Sequence, residues 1–71
     1  MTSRKTVKYV HVDRFVAEVD VELLYDDSDW SPYLRLDDAK KLDEVRDSLR
    51  RADLKTASRF ARVFEMMPVA V

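Results

Sequence analysis

The chain has 71 residues, no cysteine, no glycine and a net charge of −1 at pH 7. A domain this small buries only about 60% of its unfolded surface, and the missing cysteines rule out a disulfide or a cysteine zinc site as a staple. The balanced charge argues against a strongly basic nucleic-acid protein, and no apolar run reaches the length of a membrane span or forms a secretory leader. A cytoplasmic protein is therefore expected, held by packing or by association with itself or another chain.

Residues 1–5 are polar and read as a frayed end. Residues 7–12 read as a first strand. Asp13 and Arg14 interrupt it, and in residues 15–25 every second position is apolar: Phe15, Ala17, Val19, Val21, Leu23 and Tyr25. That period of two is the mark of a strand. A three-residue turn, residues 12–14, is expected to pair His11 with Phe15, Tyr9 with Ala17 and Val7 with Val19, and to bring Lys8 opposite Glu18. Asp13 is the expected left-handed residue, since no glycine can take that conformation.

Asp26, Asp27, Ser28 and Asp29 form an acidic loop. The next residues allow two readings. Ser31 with Pro32 could open a helix, or Tyr33 to Leu36 could form a short third strand at an edge, where Pro32 is tolerated. From residue 39 the period becomes helical: Ala39, Leu42, Val45 and Leu49. A first helix is expected from 37 or 38 to 51, with Asp37 and Asp38 at its positive end and Arg50 and Arg51 at its negative end. Lys40–Glu44 and Asp47–Arg51 are its i,i+4 pairs.

Asp53 suits the N-cap of a second helix over 54–66. Leu54, Ala57, Phe60, Ala61, Val63, Phe64 and Met67 then cover about half of its circumference. Pro68 stops it, and residues 69–71 make an apolar tail. The expected fold is α+β in a single domain: an antiparallel β-meander of two or three strands within 6–36, followed by two helices within 37–67 packed on one face.

From residue 30 onward the chain resembles a group of short bacterial proteins without an established activity. The likeness is carried by Trp30-Ser31-Pro32-Tyr33-Leu34, Leu36-Asp37-Asp38-Ala39, Lys41-Leu42-Asp43, Leu49-Arg50-Arg51, Asp53-Leu54-Lys55, Ala61-Arg62-Val63 and Met67-Pro68-Val69. The order of strand, acidic loop, Trp-Ser-x-Tyr and helix is also loosely similar to HicB-type antitoxins. The resemblance implies an antitoxin-like protein acting on a small toxin-like partner. Arg35 and Ala52 depart from the pattern, standing where a capping Ser and a C-terminal Gly are expected. If Ala52 takes a positive φ at the end of the first helix, it bears a strain that glycine would relieve.

No catalytic constellation stands out. His11 is the single histidine; it reads either as a base with Asp13 or as a surface residue closing the hairpin. Asp26, Asp27 and Asp29 lack the spacing, glycine and distal Glu of an EF-hand calcium loop, and no metal or other cofactor is expected. They can instead rim Trp30 and Tyr33, with charge to speed association and aromatics to anchor it. Met67, Val69 and Val71 offer a second apolar surface.

The leading expectation is thus a non-enzymatic interaction module that masks a basic partner protein, with a homodimer also open. Its candidate contacts are Trp30, Tyr33, Asp26, Asp27, Asp29, Met67, Val69 and Val71. The alternative is a nucleic-acid binder, with Lys55, Arg59 and Arg62 forming a phosphate-contacting stripe on the second helix.

Overall fold

A computed structural model describes residues 2–25 and 32–70. In chain order they form β1 (Thr2–Val12), β2 (Phe15–Tyr25), β3 (Tyr33–Leu34), α1 (Leu36–Arg50), α2 (Leu54–Phe60) and β4 (Arg62–Glu65). The architecture is α+β, with an antiparallel sheet covered on one face by two helices. β2 is the central strand. β1 lines one edge of it along the full length, while β3 and β4 share the other edge, at opposite ends.

The hairpin forms one residue out of the expected register. Its turn is two residues long, so Val12 faces Phe15, Val10 faces Ala17 and Tyr9 faces Glu18. This places Val10 and Val12 on the same face as Phe15, Ala17, Val19 and Val21, against the helices. A one-residue slip exchanges the faces of a strand; Val7, Tyr9 and His11 accordingly lie on the open side. Asp13 does take the left-handed conformation, with φ 52°. β1 also begins earlier than expected, because residues 2–5 pair with 22–25 rather than fray.

The region around Pro32 resolves as the short third strand, Leu34 facing Leu23 and Tyr33 facing Leu24. Between β3 and β4, β2 has no strand neighbour on this edge among the described residues. There the Asp38 carboxylate accepts the Glu22 backbone N–H at 2.7 Å. A side chain from the first turn of α1 thus takes the place of a ladder bond.

Val45, Ser48 and Leu49 of α1 and Ala57 of α2 pack on the buried face of the sheet, with Leu34, Leu42, Ala61 and Val63 around them. The polar side of α1 carries Asp38–Lys41, Asp43–Arg46 and Asp47–Arg50 ion pairs. Their spacing is i,i+3, not the expected i,i+4. The Ser48 hydroxyl is fully buried and has no hydrogen-bond partner among the described residues. Ser48→Ala should therefore leave stability unchanged or raise it by up to about 1 kcal/mol. A urea midpoint that falls clearly below the parent's would show that the hydroxyl is in use.

α1 ends in a Schellman turn. Ala52 sits at φ 55°, its N–H donates to the Leu49 carbonyl at 3.0 Å, and the Asp53 N–H donates to that of Ser48 at 2.8 Å. Asp53 then opens α2, its carboxylate accepting the Thr56 backbone N–H at 3.2 Å and the Thr56 hydroxyl at 2.7 Å. Arg35, at the start of α1, makes no side-chain cap.

α2 stops at Phe60, six residues short of the expected end, and the extended Ala61 leads into β4. Phe64, Val63 and Arg62 pair with Val16, Ala17 and Glu18. A longer helix would leave the N–H and C=O groups of β2 at 15–18 without a ladder on this edge; β4 supplies them.

Candidate functional site

With both helices on one side, no element among the described residues covers the other side of the sheet. The register arranges it in rows. His11, Val16 and Phe64 lie abreast near the hairpin, followed by Tyr9, Glu18 and Arg62. Val7 with Asp20 and Lys5 with Glu22 come next, and Ser3, Leu24 and Tyr33 close the far end. Tyr9 is 68% exposed and Phe64 48%. In a chain this size such residues would ordinarily serve the core.

The carboxylates of Glu18, Asp20 and Glu22 run down the middle of this face at every second position of β2. The Arg62 guanidinium reaches two of them, at 3.1 Å to Glu18 and at 3.0 and 3.2 Å to the two oxygens of Asp20. Arg35 approaches Glu22 at 3.6 Å. The hydrogen bonds and charge of Arg62 hold the Asp20 carboxyl below its ordinary value, while Asp20 first and Glu18 second push Arg62 higher still. The Thr56 hydroxyl and N–H lower Asp53 in the same direction.

Carboxylates with depressed folded-state values stabilise the fold fully above the unfolded pKa, near 3.8. That contribution fades as pH falls through the lower, folded-state values. Stability should therefore drop as the solution is acidified below about pH 4. The Asp20→Asn, Asp53→Asn double variant should show a flatter acid limb in urea titrations. An unchanged limb would assign the acid sensitivity to other groups.

His11 is exposed, and its Nε2 hydrogen-bonds the backbone carbonyl of Asp13 at 2.7 Å, so it closes the hairpin. Among the described residues no group of three or more His, Cys, Asp or Glu is gathered as for a metal ion. No helix among them is long and apolar enough to cross a membrane.

Of the residues expected to meet a partner, Trp30, Asp26, Asp27, Asp29 and Val71 lie outside the described residues. Tyr33 stands on the open face at its β3 end. Met67 and Val69 follow β4 and are 77% and 85% exposed. The three cations of the expected phosphate stripe do not share a helix. Lys55 and Arg59 are on α2, whereas Arg62 is on β4 and is bound to Glu18 and Asp20.

The Arg62 clamp is the feature that sequence reasoning missed. Its available signal was the spacing of two between Ala61 and Val63, with Arg62 between them, which also fits a strand. No protein-family model matches the chain, and comparisons with curated proteins and with solved structures likewise find no match.

Proposed function

We propose that this chain is a non-enzymatic, cytoplasmic interaction module, antitoxin-like in that it works by covering a small basic partner protein. The observation that carries the reading is the sheet face that no element among the described residues covers. Tyr9, Phe64 and Tyr33 flank Glu18, Asp20 and Glu22 there. Aromatic anchors thus surround carboxylates of which Arg62 holds two and Arg35 approaches the third, partners that a cationic protein would have to displace.

The overall dimensions support it. The chain measures 47 × 30 × 14 Å with a radius of gyration of 14.3 Å, against about 11 Å for a compact domain of this length. Its accessible surface is 5572 Å², against about 4,600 Å² for a folded monomer of this mass. The surplus, about 1,000 Å², is comparable with one side of a standard protein interface.

The test is purification of the tagged chain from its own cells. A stoichiometric basic protein should accompany it, and the complex should loosen with salt and on Tyr9→Ala with Phe64→Ala, which removes the aromatic anchors. A chain recovered without a second protein species would overturn the reading.

A further inference from the structure

We propose that two copies of this chain join through their β1 strands, antiparallel about a two-fold axis beside Val7, into one continuous sheet with four strands from each copy. This goes beyond the reading above, since it needs no second protein.

β1 is an edge strand of 11 residues, about twice the usual strand length. Edges are normally blunted by shortness, charged side chains, proline, a bulge or a covering element. Of these β1 has the charges, Arg4, Lys5 and Lys8, which limit the registers open to a partner strand. β1 contains no proline, and its pairing with β2 runs without a break from 2 to 12. The two-residue turn makes Val12 and Phe15 a hydrogen-bonded pair, so the even residues of β1 bond inward to β2. The N–H and C=O groups of Ser3, Lys5, Val7, Tyr9 and His11 consequently point out from the edge. The Glu22 N–H agrees with this phase, because it points away from β1 to Asp38.

Charge selects the register. A two-fold axis normal to the sheet pairs residues of the same face, so registers differ by steps of two. With Val7 on the axis, Lys5 of one copy faces Tyr9 of the other, Ser3 faces His11, Thr6 faces Lys8 and Arg4 faces Val10. No two cations stand opposite, and the full strand pairs, making on the order of ten hydrogen bonds. One step in either direction sets Lys8 against Lys8 or Arg4 against Lys8, which like-charge repulsion opposes. Moving the axis to Tyr9 removes those clashes but shortens the ladder to residues 6–12.

β1 carries Arg4, Lys5 and Lys8 and no acidic residue. Joining two such strands gathers positive charge, so screening should strengthen the dimer. Binding of an acidic strand from another protein would weaken with salt instead.

The test uses the full chain and two cysteine variants. The parent should sediment as a dimer in the micromolar range, with a dimer fraction that rises with salt. The chain has no cysteine of its own, so any disulfide in a single-cysteine variant joins two copies. Val7→Cys brings its Cα atoms about 5.5 Å apart across the axis, within disulfide reach, and should cross-link to near completion under mild oxidation. Tyr9→Cys lies across from Lys5 and should stay unlinked. A monomeric parent, a dimer that weakens with salt, or equal cross-linking by both variants would each overturn the proposal. Because the readout is a homodimer mass, its failure is distinct from the absence of a basic partner.

Discussion

Leu49→Ala is expected to destabilise the fold by about 3 kcal/mol. Leu49 is 2% exposed and, with Val45, forms the apolar part of α1 that faces the sheet. Truncation removes its transfer free energy and leaves a cavity that the two-layer fold cannot easily close, since the fixed backbone of β2 lies beneath it. A domain of this size has a total stability of roughly 4–10 kcal/mol, so one such change removes a large share. The urea midpoint should fall sharply with the slope unchanged. A shift equivalent to less than about 1 kcal/mol, well below the usual cost of a buried leucine, would mean that α1 is not seated on the sheet as described.

Ala52→Gly acts at the end of the same helix with the opposite sign. Ala52 holds φ 55° in the Schellman turn, where a Cβ is unfavourable and glycine is not. The substitution should stabilise the fold by about 1 kcal/mol, the larger entropy of the unfolded glycine chain limiting the gain. Thermal unfolding at matched pH measures it. A loss of stability would mean that the position is ordinary helix.

Much of this fold could be read from periodicity. Phe15 to Tyr25 has an apolar residue at every second position because that face of β2 is buried from Phe15 to Val21 and half-buried at Leu23 and Tyr25. Ala39 to Leu49 repeats at helical spacing because one stripe of α1 meets the sheet. Asp13 was identifiable as a left-handed position because the chain has no glycine to take that conformation, and Ala52 because it stands where the resembling proteins lead one to expect a C-terminal glycine.

The misread parts are those where two patterns coexist. β1 is apolar on both faces, Val7 and Tyr9 on one and Val10 and Val12 on the other, so turn length alone decided which face was buried. Ala61, Val63 and Phe64 satisfy a spacing of two and a spacing of three. Tertiary context chose the strand, because β2 had an edge to complete. That choice moved Arg62 from a helix face to the carboxylates of the open face, a contact between residues 44 apart in sequence that local pattern cannot register.

The corner at Ala52 has a mechanical consequence. Asp53 closes α1 through its N–H and opens α2 through its carboxylate, leaving no slack residue between the helices. They form a single rigid elbow. Any sliding of that elbow over the sheet must start at its outer joints, the uncapped Arg35 or the extended Ala61.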